Sequence, residues 1–255
     1  MIIPVSSKLG KYSNICIKLY SRYLYSPRSI NNIPVIINNY NRCTFLSNLI
    51  EWLEKSGINN IYIIDNNSTY PPLLKYYRNT KHIVFRLDQN VGHLSLWETH
   101  IFKLFKNDYY VYTDSDILPI KDCPSTFLTY FKSILDNYPE YDKVGLGLMI
   151  DDLPDFYLLK NEVINWEKQF WGKEIAPKIY DALIDTTFAL YRSGKAGGYE
   201  LSALRTGYPY LARHMPWYLD SDHYSEEELY YIEHVNISSS WYKKVNKEGN
   251  YELNK

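Results

Sequence analysis

An α/β fold with a mixed, mostly parallel central sheet flanked by helices follows from three observations. Short apolar runs of strand length alternate with segments of helical periodicity. Each of the early runs ends in Asn or Asp, or in a loop that carries one. No repeat and no low-complexity linker divides the 255 residues, a length that fits one domain with a substantial core.

Residues 1–32 read as an arm or short helix packed on the body, with the tyrosine-rich part at 16–25 followed by a Ser-Pro-Arg-Ser loop. The organised domain begins at residue 33 and runs to 245, leaving 246–255 as a flexible tail. Its first strand, 33–37, is a continuous apolar run that ends in Asn38-Asn39-Tyr40-Asn41-Arg42. Phe45, Leu46, Leu49, Ile50, Trp52 and Leu53 then recur at helical spacing up to Gly57, a natural helix stop. A second strand, 61–64, ends in Asp65-Asn66-Asn67-Ser68. A short helix at 72–77 precedes a third strand at 83–87 and the loop Asn90-Val91-Gly92-His93. An amphipathic helix is expected over 94–105 and a fourth strand over 109–112, running into Thr113-Asp114-Ser115-Asp116.

Strands alternating with helices make a parallel sheet covered on both faces, and such sheets bind ligands at the carboxyl ends of their strands. Asn38, Asp65, Asn90 and Asp114 all fall at such ends. Beyond Pro119 the pattern predicts a helix at 127–135 and a strand at 144–150 ending in Asp151-Asp152. An aromatic amphipathic segment covers 164–171, and a strand at 183–192 carries Asp185 near its start. The stretch 205–218 reads as turn-rich and aromatic and contains Arg213 and His214. Glu226-Glu227-Glu228 reads as a solvated helix start, and His234 lies shortly after it.

Composition excludes several classes. A net charge of −1 offers no basic footprint for nucleic acid. Cys16, Cys43 and Cys123 are scattered, without metal-site spacing, and read as reduced thiols. No apolar run approaches the ~20 residues that span a bilayer, and the first residues lack a leader's charged and apolar regions. The expectation is a cytoplasmic protein. The 27 tyrosines are explained more simply by biased residue usage than by carbohydrate contact.

Asp114 and Asp116 carry the chemistry. Carboxylates at i and i+2 share one side of an extended segment, and a turn can converge them. Converged carboxylates repel unless a cation lies between them, and hard ions such as Mg²⁺ or Mn²⁺ prefer these oxygens and hold substrate phosphates. The competing explanation is a capped surface turn.

In order and spacing, Val35 to Arg42, Ile64-Asp65-Asn66-Asn67-Ser68, Asn90-Val91-Gly92-His93, Thr113 to Asp116 and Ile184-Asp185-Thr186-Thr187-Phe188 resemble the motifs of GT-A glycosyltransferases. The likeness is to the family 2-like enzymes of bacterial and giant-virus glycan clusters, whose cytoplasm would be the host's for a viral chain. The resemblance implies a Rossmann-like GT-A domain with a nucleotide-binding half at 33–120 and an acceptor-binding half at 121–245. It implies a nucleotide-sugar donor, first of all a UDP-sugar, an Mn²⁺ or Mg²⁺ ion, and a glycan or glycoconjugate acceptor. Asn38, Asn39, Tyr40 and Arg42 would line the nucleotide pocket, Asp65 would bind base or ribose, and Asn90 and Gly92 would pass close to the donor. Asp114 and Asp116 match the metal motif, with Asp116 the direct ligand. The family's later Glu-Asp pair has no clear copy here.

An inverting transferase needs a carboxylate to take the acceptor's proton as its oxygen attacks C1. Asp185 is the first choice, with Asp151 and Asp152 behind it. Arg213 and His214 suit a clamp on the departing diphosphate, and His214 or His234 could be a third metal ligand. A retaining transferase, a sugar nucleotidyltransferase and an inactive sugar-binding protein are the rival readings. The absence of glycine from residues 38–42 counts against the nucleotidyltransferase.

Overall fold

The computed structural model describes residues 1–6, 30–235, 244–245 and 251–252. Most of the expected arm or short helix, its tyrosine-rich part at 16–25 included, and nearly all of the tail lie outside the described residues. The nucleus of the fold is four parallel strands: β2 (Val35–Asn39), β3 (Ile61–Asp65), β4 (Ile83–Leu87) and β5 (Tyr110–Asp114). All five residues of β2 and of β3 are buried, which is why both read as continuous apolar runs rather than alternating ones.

The chain adds β1 (Ile2–Val5) beside β4, in parallel. Residues 2–5 therefore extend the sheet beyond β4. Further along come β6 (Ile117–Pro119), β7 (Lys143–Leu148), β8 (Glu174–Ala176), β9 (Ile179–Asp181), β10 (Ala189–Tyr191) and β11 (Ala203–His214). The strand order is β1-β4-β3-β2-β5-β10-β7-β11-β9-β8, with β6 paired to the end of β11. β10 runs antiparallel between β5 and β7, while β11 is parallel to β7. The sheet is mixed and mostly parallel, as the sequence predicts.

Residues on the two faces of β2 divide the core. Val35 and Ile37 join one cluster with Leu46, Leu49 and Leu53 of α1 (Thr44–Lys55), Leu73 and Tyr77 of α2 (Pro71–Asn79), and Phe127 and Phe131 of α4 (Phe127–Asn137). Between them in sequence lies α3 (Phe102–Phe105), which covers the other face with Leu96 and Ile101 against Ile36, Tyr62 and Tyr112. Only these last four residues of the helix expected at 94–105 are α-helical. Ser95 turns its hydroxyl to Asn38 and Thr99 bonds back to the Ser95 carbonyl, local competition that breaks the helical ladder.

Two other elements differ from the sequence pattern. The expected strand at 183–192 is only β10; in the stretch before it the Ile184 carbonyl accepts from Lys143 Nζ and the Thr186 carbonyl from Asp114 N–H. The turn-rich stretch is mostly the long strand β11 followed by a short 3₁₀ turn at Met215–Tyr218. Helix α5 (Lys160–Glu167) also ends in a 3₁₀ turn, Lys168–Trp171.

Strands β2, β3 and β4 spread to one side and β5 to the other, so the order reverses between β2 and β5. Open α/β sheets bind ligands in the crevice at such a switch point. Behind it β7 and β10 approach so closely that a Cβ on Gly145 would lie 2.4 Å from the Phe188 carbonyl oxygen and 2.9 Å from the Ala189 Cβ. Gly145→Ala is therefore expected to destabilise the fold by about 1–3 kcal/mol through overpacking, measured as a lower urea midpoint at unchanged slope.

Candidate functional site

At the switch point the end of β2 supplies an amide and the end of β5 two acids. Asn38 Nδ2 donates to Asp114 Oδ1 at 3.0 Å, and its own Oδ1 accepts from Asn66 Nδ2 at 2.5 Å and Ser95 Oγ at 2.8 Å. Asn38 therefore joins three loops with one side chain. Asn66 continues the network by donating to the Gly92 carbonyl at 3.0 Å and accepting from Val91 N at 3.1 Å. Gly92 sits at φ +85° in this turn, a left-handed conformation suited to glycine, and its N–H donates to Asn90 Oδ1 at 2.8 Å.

The second oxygen of Asp114 accepts from Thr186 Oγ1 at 2.5 Å, while its backbone N–H donates to the Thr186 carbonyl at 3.0 Å. Both donors to this carboxylate side chain are neutral. Burial, then the neighbouring Asp116 charge, pushes Asp114 well above the usual carboxylate range. Asp116 has the opposite setting: burial opposes its ionisation, but His214 and Arg42 outweigh it and hold the carboxyl low. Arg42 Nη1 pairs with Asp116 Oδ2, which also lies 3.5 Å from His214 Nε2. Asp116 Oδ1 is buried without a hydrogen-bond partner.

The acidic run at 226–228 is not a solvated face. Helix α6 (Glu226–His234) starts at Ser225, whose hydroxyl accepts from Glu228 N. Glu228 is only 2% exposed and receives Arg42 Nη2 at 2.7 Å. Glu227 caps a different helix: its Oε1 accepts from the backbone N–H groups of Cys43 and Thr44 at 2.9 Å each. α1 has no side-chain cap of its own, so this carboxylate satisfies donors at its positive end. Tyr231 lies 3.7 Å from the Arg42 guanidinium, and Tyr40 Oη donates to the His234 carbonyl. α6 thus closes over the loop that follows β2.

Several expected residues stand differently. Asp65 is fully buried; its Oδ1 accepts from Ser68 N and Tyr77 Oη, while Oδ2 has no hydrogen-bond partner and lies 3.7 Å from Arg86 Nη1; burial raises its carboxyl despite these partners. It builds the rim from inside, and Asn39 does likewise by donating to Tyr77 Oη at 2.8 Å. Arg213 is no open clamp, because its Nε donates to Asp152 Oδ2 at 3.0 Å, and Tyr218 Oη donates to Asp152 Oδ1 at 2.5 Å. The same contacts occupy Asp152, holding its carboxyl low against burial. Asp151 is exposed on the adjoining turn. His234 stacks on Tyr230 at 4.1 Å and places Nδ1 2.7 Å from the Tyr230 carbonyl, its own helix's backbone. Asp185 lies in the stretch before β10, one residue from Thr186, which binds Asp114. Burial raises its carboxyl, against His93 and Lys143.

Among the described residues, no group of three His, Cys, Asp or Glu side chains could hold a metal ion. The donor set nonetheless fits a hard divalent ion of the kind that takes one or two carboxylates and completes its shell with substrate phosphates and water. The buried, unpartnered Asp116 Oδ1 is the observation that supports the fit. Thr186 stands in a sequence motif without a role of its own there, and Glu228 reads only as part of a solvated helix start. Ser225-x-x-Glu228 signals a helix start but names no partner for the glutamate.

No family model matches the chain and no curated protein matches it. Among solved structures it is similar to glucosyl-3-phosphoglycerate synthase from Mycobacterium tuberculosis in complex with phosphoglyceric acid. That likeness has 12% identity and a TM-score of 0.44, over 80% of this chain and 80% of that one. No helix among the described residues is long and apolar enough to cross a membrane.

Removing Glu228 breaks a buried ion pair. Glu228→Ala is expected to cost about 3 kcal/mol, the low end for such a loss because Asp116 still faces Arg42. Hydrogen exchange should quicken selectively across residues 226–234.

Proposed function

We propose that this chain is a metal-dependent glycosyltransferase of the GT-A type, moving a sugar from a nucleotide diphosphate to an acceptor hydroxyl. One observation carries it. The paired carboxylates Asp114 and Asp116 stand at the switch point between β2 and β5, and Thr186 ties the stretch that bears Asp185 directly to Asp114. A diphosphate site and a candidate base are thereby neighbours.

In this reading the donor lies across the carboxyl ends of β2 and β5, with a UDP-sugar the first candidate. Tyr40 and the Asn90–Gly92 turn border the nucleotide, while Asn38 and Asp65 hold that border in shape. Asp116, through Oδ1, and Asp114 would hold Mn²⁺ or Mg²⁺. The ion, when bound, neutralises charge that grows on the departing diphosphate. Arg42 and His214 fix the orientation of Asp116 from its other oxygen.

Asp185 is the residue proposed to accept the proton of the attacking hydroxyl. Its raised carboxyl suits the role, since a base is most effective when its proton affinity approaches that of its surroundings at working pH. Attack from the side opposite the leaving group inverts the anomeric centre. The acceptor is proposed to be a glycan or glycoconjugate.

The test is release of UDP from a panel of UDP-sugars, with Mn²⁺ and then with EDTA. Turnover should require the ion. Asp116→Ala should lower kcat by about 10²–10³-fold, the scale for losing one stabiliser of transition-state charge. Asp185→Asn should lower it by about 10²–10⁴-fold, the range for a general base. Binding without turnover, indifferent to metal, would refute the proposal. Full metal-dependent activity in Asp116→Ala would refute the ligand assignment alone, and a retained anomeric configuration by NMR would remove the base role from Asp185.

A further inference from the structure

Lys143 opens β7 and is 0% exposed. Its ammonium donates to the Ile184 carbonyl at 2.6 Å and the Gly198 carbonyl at 2.7 Å, with the Asp185 carbonyl and Tyr191 Oη each at 3.3 Å. The Tyr191 ring centroid lies 4.9 Å away. Burying an ammonium is costly unless its protons are used and its charge is opposed. Both conditions hold here, and the acceptors lie on either side of β10: Ile184 and Asp185 before it, Gly198 after it.

These two segments form the surroundings of one carboxylate. A Cβ on Gly198 would lie 3.2 Å from Asp185 Oδ1, so the Gly198 backbone is the wall against which that oxygen packs. Gly198 N donates to Glu200 Oε1 at 3.1 Å, which fixes the turn from its other side. The charged and titratable groups facing Lys143 are Asp185 from the stretch before β10, Tyr191 from β10, Glu200 from the turn after it, Arg205 from β11 and Asp142 beside it on the chain. Asp185 in turn faces His93 from the loop after β4. A buried hydrocarbon side chain could fill the same space but could not bind three carbonyls or oppose Asp185.

We propose that Lys143 is the positioning residue of the acceptor-activating carboxylate. By holding the carbonyls of Ile184, Asp185 and Gly198 together, its ammonium sets where the Asp185 carboxylate points and supplies the cation opposite it. The proposal rests on the assignment of Asp185 made above. Burial pulls the Lys143 ammonium down to about 7, against the opposing pull of Asp185 and Glu200. The carboxylates it faces oppose that loss of charge.

The experiment measures kcat and donor KM against pH for the wild-type chain, Asp185→Asn, Lys143→Met and Lys143→Arg, with folding followed by near-ultraviolet circular dichroism. In Lys143→Met the donor KM should stay unchanged while kcat falls by about 10²-fold, the cost of misplacing a reacting group by an ångström. The acid limb of kcat should move to higher pH, because a cation that favours ionised Asp185 is gone. Lys143→Arg keeps the cation and should hold the acid limb in its wild-type place, with much of kcat restored. Should the methionine variant not fold, Lys143→Gln, which keeps a donor without the charge, decides by the same two readouts. An unmoved acid limb with wild-type kcat, or a parallel rise in donor KM, overturns the proposal. Undiminished kcat in Asp185→Asn instead overturns the assignment on which it rests, and an inactive Asp185→Asn beside an unaffected Lys143→Met overturns the Lys143 proposal alone.

Discussion

Two carboxylates held largely out of water at the end of one strand impose the arrangement around them. An ionised carboxylate without compensation is among the costliest groups to bury, and Asp114 and Asp116 also repel each other. The chain answers each one differently. Asp114 receives only neutral donors, Asn38 and Thr186, whereas Asp116 receives a guanidinium and faces an imidazole. The same dipeptide spacing therefore yields one carboxyl that burial keeps reluctant to ionise and one that stays charged, which is how paired acids come to have separate tasks.

Arg42 makes that division possible and passes its consequences outward. Its guanidinium is planar and can serve two carboxylates at once, here Asp116 on the rim and Glu228 on α6. The adjacent Glu227 caps α1, whose first turn begins just after Arg42. Neighbouring acids on one helix thus hold both the arginine and the helix that follows it. Local electrostatics at the acidic pair and the docking of a helix nearly two hundred residues away in sequence are one network. A change in how Asp116 is engaged alters the partner that α6 leans on.

The parts of this fold legible in sequence are those governed by neighbours along the chain. β2 and β3 announce themselves because both faces are buried, and α1 because Leu46, Leu49 and Leu53 fall on one side and Gly57 ends it. The polar strand ends were legible for the same reason, since Asn38 and Asp114 interrupt apolar runs. What could not be read was pairing at a distance. Asp65 is as polar as Asp114 and equally terminal on its strand, yet it is fully buried, with Tyr77 on one oxygen and Arg86 3.7 Å from the other. Arg213 and Asp152 each suit a catalytic site singly and quench one another as a pair. Glu228 and Lys143 carry no signal, because the sequence shows a charge and not its burial. The expected strand through Asp185 failed similarly: its residues have strand propensity, but tertiary bonds at Thr186 and Lys143 decide their path.

The path of residues 184–186 joins the acidic pair to β7. Thr186 bonds Asp114 through both its hydroxyl and its carbonyl, and Lys143 holds the carbonyls just before it. The segment 184–186 is therefore pinned at one end to the acidic pair and at the other to a buried ammonium on β7. A segment with two fixed ends transmits a displacement rather than absorbing it, because close-packed interiors have little slack. A change in the ionisation of Asp114 acts on the Thr186 bond, and Asp185 is the adjoining residue. The acidic pair and the stretch that bears Asp185 are thus joined through Thr186 and Lys143, so the placement of one constrains the placement of the other.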